Sequence, residues 1–260
     1  MVRCALSRIV DCDVEMSGPV GGLLRRRMPA QQRRNQLLDA ALERFARKGY
    51  HDTSMEEIAE AAGVTKPVLY HHFASKTELF VELLDTVGEK LLLDMSARIS
   101  AETSPYRRVL AGFSSYFEFV STSTSAYQLL FASGARMSEE FAAPVRKLEE
   151  EVAKVIASFV EADIDDSHRE LLGFAIVGLG EVAARRWVTT RLTGGEASVD
   201  DALSSTGPAG GGERIASQRL DPGEGDLMAV RLADLVWAGL RALPADKSAV
   251  HESKKEPVIP

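Results

Sequence analysis

The amino-acid sequence predicts an all-α protein, and three observations support this fold class. Apolar residues recur at three- and four-residue spacing in successive segments, as on the buried face of a helix. Ser, Thr or Asp precedes several of these segments, and Gly or Pro follows them, as at helix ends. No segment combines period-two alternation with hairpin turns, so no strand is predicted. We therefore expect about nine helices.

Composition places the chain among soluble globular proteins. Its 260 residues are 45% hydrophobic and 27% charged, enough for one large domain or two smaller ones. No apolar run reaches the ~18 residues of a membrane span, and residues 1–24 lack the apolar stretch of a signal peptide. Both cysteines, Cys4 and Cys12, lie near the start, which favours a reducing cytoplasm. We expect a cytoplasmic protein without metal or cofactor.

Charge is unevenly distributed along the chain. The net charge is −7, yet residues 25–76 hold ten Lys/Arg and six Asp/Glu. Residues 77–260 hold nineteen Lys/Arg and twenty-nine Asp/Glu. Nucleic-acid phosphates attract a cationic segment and repel an acidic one. This distribution predicts that residues 25–76 carry any contact with nucleic acid.

The first ordered element is predicted to be a helix from Ala30 to Lys48. Its apolar positions recur at helical spacing, and Gly49 ends it in the position that favours a residue without a side chain. Residues 1–28 precede it as a predicted disordered tail, in which Arg25–Arg27 form a basic cluster. We interpret the tail either as a plain leader or as an arm that adds non-specific affinity for DNA.

Residues 53–80, TSMEEIAEAAGVTKPVLYHHFASKTELF, contain the most informative pattern. Ser54 and Glu57 have the spacing of a capping box at the start of one helix. Gly63 then stands where a tight turn requires a residue without a Cβ, and Thr65 is the predicted cap of a second helix. Two short helices joined by a Gly turn, with cationic residues on the second, are typical of a helix-turn-helix that binds DNA.

The candidate DNA-contacting residues follow from how such a helix meets DNA. Its N-terminal residues face base edges in the major groove, and nearby hydroxyls, amides and cations bind phosphates. The predicted DNA-binding residues are Arg33, Arg34, Thr53, Ser54, Thr65, Lys66, Pro67, Val68, Tyr70, His71 and Lys76. Plainer alternatives stay open: Tyr70 can be a core residue and Lys66 a solvated charge. His71 and His72 are not predicted to chelate a metal, because neighbouring helical positions point ~100° apart.

The run from Arg33 to Phe80 resembles the N-terminal domain of TetR-type transcriptional regulators. The phrases ALERFARKGY, TSMEEIAEAAGV and LYHHFASKTELF occur in the order and spacing of that family. The resemblance implies a DNA-binding domain over residues 29–75, whose matching positions contact an operator. Over residues 76–243 it implies only a helical ligand-binding and dimerisation domain.

Six further helices are predicted after the helix-turn-helix, over about 75–100, 105–120, 127–131, 138–160, 166–191 and 226–243. Asp226 is the predicted N-cap of the last one. Residues 193–225 hold eight Gly and two Pro, which predicts a flexible loop. Residues 244–260 are predicted to be a loose tail.

Helices 166–191 and 226–243 carry more apolar positions than one buried face requires. Gly173, Gly178 and Gly180 would allow another helix to approach the first of them closely. We expect a homodimer in which these two helices of each protomer pack about a two-fold axis.

An effector site is expected among the later helices, for a small and lipophilic molecule. The candidate pocket residues are Phe113, Tyr116, Phe117, Tyr127, Phe131, Phe174, Val177, Glu181 and Trp187. Each of the aromatic residues can equally be ordinary core. Glu181 needs a partner if it is buried, and Arg185, four residues on, is the plain alternative to a ligand.

These features predict a homodimeric, nucleoid-associated regulator, most simply a repressor that binds a palindromic operator and is released by an effector. An activator remains possible, since operator position decides the direction. A regulator controlled by a protein partner or by abundance is one rival. An enzyme built on a helical bundle is the other, but the sequence lacks a Gly-rich phosphate loop, G-x-S-x-G or metal-spaced His/Glu set.

Overall fold

The computed structural model describes residues 28–132, 141–192 and 220–243. In these ranges it contains nine α-helices, one π-helical turn and no strand, which confirms the all-α fold class. The helices are α1 (Ala30–Lys48), α2 (Met55–Ala61), α3 (Lys66–His72), α4 (Lys76–Ser100), α5 (Pro105–Thr122), α6 (Thr124–Tyr127), α7 (Ala142–Ser158), α8 (Asp166–Leu192) and α9 (Pro222–Leu240). The π-helical turn, Gln128–Ala132, follows α6.

Three predicted segments fall wholly or mainly outside the described residues: the tail over 1–28, the loop after residue 192 as far as residue 219, and the tail over 244–260. The first turn of the helix predicted from residue 138 lies outside them as well. None of the described helices is both long enough and apolar enough to span a bilayer.

Contacts divide the chain into two compact units, and the division falls between Leu83 and Leu84, inside α4. The predicted boundary lay at residue 75, where the helix-turn-helix pattern ends. The first two turns of α4 complete the core of the N-terminal unit instead. Phe80 meets Phe45 of α1 edge to face, with ring centroids 4.9 Å apart.

The core of the N-terminal unit consists of apolar side chains from α1 to α4. The buried side chains include Phe45, Met55, Ile58, Ala62, Leu69, Phe73, Leu79 and Phe80, whereas Val64 is half-buried. The capping box of Ser54 and Glu57 at the start of α2 is present in both of its hydrogen bonds. Gly63, with φ of 65°, makes the left-handed turn that leads to α3.

The start of α3 differs from the prediction, because the Thr65 side chain makes no capping hydrogen bond. A cap accepts from the second or third amide of the helix. Pro67 has no amide hydrogen to donate, and the amide of Val68 donates to the backbone carbonyl of Thr65 at 2.9 Å. The hydroxyl of Thr65 is therefore exposed and not needed by the helix.

In the C-terminal unit, α8 packs against α7 through a glycine. A Cβ added at Gly173 would lie 2.4 Å from the carbonyl oxygen of Ala153, so only glycine fits this contact. A Cβ at Gly180 would lie 3.4 Å from the ring of Phe113 on α5. Nothing lies within 4 Å of the corresponding position at Gly178. Of the three glycines predicted to allow a close helix approach, Gly173 lies against the backbone of α7. Gly178 has no such neighbour among the described residues.

The last helix begins earlier than predicted. Asp221, not Asp226, is its N-cap: the Asp221 carboxylate accepts from the amide of Gly223 at 2.9 Å, and Pro222 occupies the first turn. Residues 222–225, assigned to the loop from their Gly and Pro content, are therefore helical. Gly225 is buried, and a Cβ there would lie 3.2 Å from the ring of Trp187. Here glycine serves helix packing and does not break the helix.

Candidate DNA-binding surface and effector cavity

The helix α3 exposes nearly all of its side chains. Leu69 is its one buried residue, and the exposed residues at and after its start are Thr65, Lys66, Pro67, Val68, Tyr70 and His71. Val68 and Tyr70 are 38% and 43% exposed, and they lie next to the exposed Lys66, Pro67 and His71. The helix is thus anchored on one side and presents a mixed cationic and apolar face on the other. Base edges and thymine methyl groups bind to such a face.

Lys66 stands at the N-terminal end of this exposed face. Its ammonium forms an ion pair with the carboxylate of Glu56 on α2 and lies 5.8 Å from the centre of the Tyr70 ring. The hydrogen bond between the two charged groups lowers the pKa of Glu56 and raises the pKa of Lys66. Both side chains are about half exposed, so DNA can displace the carboxylate from the ammonium.

Arg34 makes its contacts inside the N-terminal unit. Its guanidinium pairs with Glu82 on α4, donates to the backbone carbonyl of His72 at 2.7 Å, and lies 4.3 Å from the centre of the Phe73 ring. The hydrogen bond to Glu82 raises the pKa of Arg34. A phosphate contact by Arg34, as predicted from its place at the start of α1, would have to replace these bonds.

Thr53 and Ser54 were predicted to meet a phosphate at the start of α2, and the structure places their polar groups elsewhere. Thr53 is 1% exposed and donates to the carbonyl of Gly49 at 2.8 Å, so a DNA contact by its hydroxyl is not supported. The Ser54 hydroxyl accepts from the amide of Glu57, and the Ser54 amide donates to the Glu57 carboxylate. A carboxylate of the chain itself thus occupies the anion site at this helix end.

Lys76 was predicted to bind a phosphate at the start of α4. Its ammonium donates instead to the carbonyls of Tyr50, His51 and Thr53, at 2.8, 3.2 and 3.0 Å. It also lies 4.5 Å from the centre of the Tyr50 ring. Lys76 therefore fastens the turn between α1 and α2 to α4. Arg33, also predicted to contact DNA, donates to Gln36 three residues further along α1, at 2.6 Å.

An apolar cavity of about 100 Å³ lies in the C-terminal unit, between α4, α5, α7 and α8. Five of the predicted pocket residues line it: Phe113, Tyr116, Phe131, Val177 and Glu181. Four do not: Phe117 and Trp187 lie against each other, with ring centroids 6.0 Å apart, Tyr127 is buried, and Phe174 is 41% exposed. The aromatic residues therefore divide between cavity, core and surface.

Several cavity residues were not predicted. Leu91, Met95 and Ile99 on α4 line it, as do Leu148 and Val152 on α7. Leu91 and Met95 continue the four-residue apolar spacing of Leu79, Leu83 and Val87 along α4. That repeat identifies a buried face but not the empty space beside it.

Charged groups are few in the cavity lining. Glu181 is 7% exposed, and Glu149 and Arg108 join it among the lining residues. Arg108 donates to Glu161 at 2.8 Å and lies 5.4 Å from the centre of the Phe159 ring. Within the described part of the chain, no three His, Cys, Asp or Glu side chains are grouped to hold a metal ion.

The surfaces of α8 and α9 expose large apolar side chains. Ten such side chains are exposed among the described residues, and six of them lie on these two helices: Leu171, Phe174, Val182, Leu227, Val230 and Leu235. On α8 they follow the three- and four-residue spacing of one helical face, on which Gly178 also lies. Contiguous apolar surface of this kind marks an interaction site.

The N-terminal unit, with a capping box at the start of α2, a left-handed glycine turn and an exposed second helix, has the architecture of a helix-turn-helix DNA-binding domain. Residues 37–83 match the family model described as bacterial regulatory proteins, tetR family. The transcriptional activator FasR of Mycolicibacterium smegmatis is 33% identical over 173 residues, which are 65% of this chain and 79% of that protein. The chain belongs to the TetR family of transcriptional regulators.

Two solved structures agree with this assignment. A TetR-like regulator from Rhodococcus sp. RHA1 is 27% identical with a TM-score of 0.57, covering 83% of this chain and 100% of that chain. FadR of Bacillus subtilis, solved in complex with stearoyl-CoA, has a TM-score of 0.59 over 79% of this chain and 98% of its own. At 15% identity, FadR shows a shared fold alone.

Proposed function

We propose that the protein is an effector-responsive regulator that binds near-palindromic duplex DNA as a homodimer. The observation that carries this proposal is the exposed face of α3, where Lys66, Val68 and Tyr70 face solvent while Leu69 anchors the helix in the core. A short helix gains nothing in stability from large exposed side chains, so their placement favours a role in binding. In this proposal Lys66, Pro67 and Val68 face base edges, and Tyr70 and His71 face phosphates.

Dimer formation through α8 and α9 is part of this proposal. The exposed apolar residues of these helices support it, because a second copy of the same face would cover them. An isologous pairing also presents two α3 helices related by a two-fold axis. Half-sites about one helical turn of DNA apart are then expected.

The cavity in the C-terminal unit is the proposed effector site. Its lining is largely apolar, which supports a lipophilic molecule, while Glu181 and Arg108 offer polar contacts to a head group. A volume of about 100 Å³ admits a small molecule or part of a larger one, so a larger effector requires the surrounding helices to separate. A completely packed domain would favour a regulator without a small-molecule ligand, and the cavity argues against that alternative.

The direction of control has two candidates. Repression is the simpler expectation, because a bound dimer blocks polymerase at an overlapping operator. Activation is favoured by one observation, the similarity to FasR, which is named a transcriptional activator. Transcript levels of the neighbouring gene, with and without this protein, distinguish them: a rise on deletion supports repression and a fall supports activation.

The DNA contact is tested with Lys66→Ala and Tyr70→Phe. Each is expected to weaken binding to the protein's own upstream duplex by roughly ten-fold, the typical loss for one base or phosphate contact. Gel-shift titration measures the affinity, and size-exclusion chromatography checks that dimer formation is unaffected. Unchanged affinity in both variants would reject α3 as the DNA-binding helix.

The effector site is tested with Val177→Phe, which adds volume to the cavity lining. The neutral dye N-phenyl-1-naphthylamine serves as an apolar probe. Wild-type protein is expected to enhance its fluorescence, and the variant is expected to lose most of this enhancement while keeping its DNA affinity. Equal dye binding by both proteins would show that the dye, and hence apolar molecules of its kind, bind elsewhere.

A further inference from the structure

We propose that Arg34 is a positioning residue, which holds the C-terminal end of α3 against α4 and so sets the orientation in which α3 meets DNA. The inference rests on the proposed DNA-binding function. It differs from that function in assigning Arg34 to the support of α3, whereas its sequence position predicted a phosphate contact.

The contacts of Arg34 join three helices. From α1 its guanidinium reaches Glu82 on α4 through two nitrogens and the carbonyl of His72 through a third. His72 is the last residue of α3, where carbonyl groups lack partners within the helix. A bidentate contact between a planar guanidinium and a carboxylate fixes the relative orientation of the two groups as well as the distance between them. Arg34 therefore constrains the angle of α3 more tightly than apolar contact alone would.

The helix α3 has few other attachments. It is seven residues long, has no side-chain cap at its start, and buries Leu69 alone. Helices of this length have little stability of their own, so their orientation depends on the groups that hold their ends. Phe73, directly after α3, is fully buried, and its ring lies under the same guanidinium, 4.3 Å from the centre.

The change in DNA affinity caused by Glu82→Gln distinguishes this proposal from a phosphate contact, because the two predict changes of opposite sign. If Arg34 binds phosphate, Glu82 competes for it, and Glu82→Gln strengthens DNA binding. If Arg34 positions α3, Glu82 is its partner, and Glu82→Gln weakens DNA binding although it removes a negative charge. Simple electrostatics favours tighter binding in this variant, so a loss cannot come from charge alone.

The experiment measures fluorescence anisotropy of a labelled upstream duplex with full-length protein at several salt concentrations. We expect DNA affinity to fall roughly five-fold or more in each of three variants: Arg34→Met, Arg34→Lys and Glu82→Gln. Arg34→Lys belongs to this set because lysine keeps the charge but cannot form the bidentate contact. The double variant Arg34→Met with Glu82→Gln is expected to be no weaker than either single one. The slope of log affinity against log salt should stay at the wild-type value.

Two variants control for charge. Arg47→Met removes a cation from the exposed end of α1, and Glu89→Gln removes an anion from the exposed side of α4. Each is expected to stay within about two-fold of wild type. Circular dichroism and urea midpoints, measured alongside, establish that the variants are folded at the assay temperature.

Four results would overturn the proposal: equal or tighter binding by Glu82→Gln, a salt slope lower by about one in Arg34→Met, full rescue by Arg34→Lys, or a changed urea midpoint with unchanged affinity. The last would make Arg34 purely a stability residue. Failure of wild-type protein to bind any duplex is a distinct result, which would reject the proposed function and this inference with it.

Discussion

At the scale of single residues, the cationic side chains of the N-terminal unit differ in the groups that they contact. Lys66 pairs at the surface with Glu56, where DNA can replace the partner. Arg34 donates to the carbonyl of His72 at the end of α3, and Lys76 donates to carbonyls in the turn between α1 and α2. All three stand near helix starts, and each was predicted from the sequence to contact DNA. Their partners lie far away in the chain, as His72 does from Arg34, and no local pattern identifies such a pair.

The Lys66–Glu56 pair leads to a prediction about Glu56. Glu56→Gln is expected to strengthen DNA binding by about two- to five-fold at low salt, because the Lys66 ammonium no longer has to leave a carboxylate. Anisotropy titration of the upstream duplex measures the change. Glu60→Gln is the matched control, since Glu60 is an exposed acid on the same helix. If Glu56→Gln binds no tighter than Glu60→Gln, the pair does not compete with DNA.

The cavity residues show what single-residue patterns can and cannot predict. Glu181 stood out in the sequence because a carboxylate in an apolar helix segment is unusual, and it lies in the cavity lining. Phe174 and Trp187 carried the same aromatic signal, yet one is exposed and the other packs on Phe117. Aromatic character alone does not predict whether a side chain lines the cavity, packs in the core or lies at the surface. The position of the neighbouring helix determines this.

At the scale of elements, apolar periodicity and capping residues predicted most helices. The helix predicted over Ala30–Lys48 has the same first and last residues as α1. Gly49, with φ of 80°, ends it. Prediction failed where a residue had two possible roles. Gly223 and Gly225 resemble loop residues in sequence, but Asp221 caps the helix before them and Gly225 packs under Trp187. Packing between distant helices overrides local propensity here.

The contact of α7 with α8 yields a prediction at this scale. Gly173→Ala is expected to destabilise the protein by about 1–3 kcal/mol, because its Cβ would meet the carbonyl of Ala153 at 2.4 Å. Urea unfolding followed by circular dichroism measures the loss. Gly178→Ala is the control on the same helix, where space is open, and should be neutral or stabilising by up to about 1 kcal/mol. Equal stability of both variants would contradict the close packing.

At the scale of the whole molecule, charge and apolar surface are segregated along the chain. The cationic residues 25–76 contain the helix-turn-helix, and the acidic remainder contains the cavity and the exposed apolar faces of α8 and α9. The sequence predicted this segregation, since it depends on composition alone. It did not predict the division within α4, because the boundary at residue 75 was taken from the end of the helix-turn-helix pattern, whereas α4 runs without a break through Leu83 and Leu84.

We propose that two copies of this chain together bind one stretch of duplex DNA through paired α3 helices. Sedimentation velocity of the protein, alone and with a labelled duplex from its own upstream region, tests the claim most directly when repeated at two salt concentrations. We expect a dimer without DNA, at least one dimer per bound duplex, and a marked loss of binding at the higher salt. A monomer that sediments independently of every duplex at low salt would contradict it.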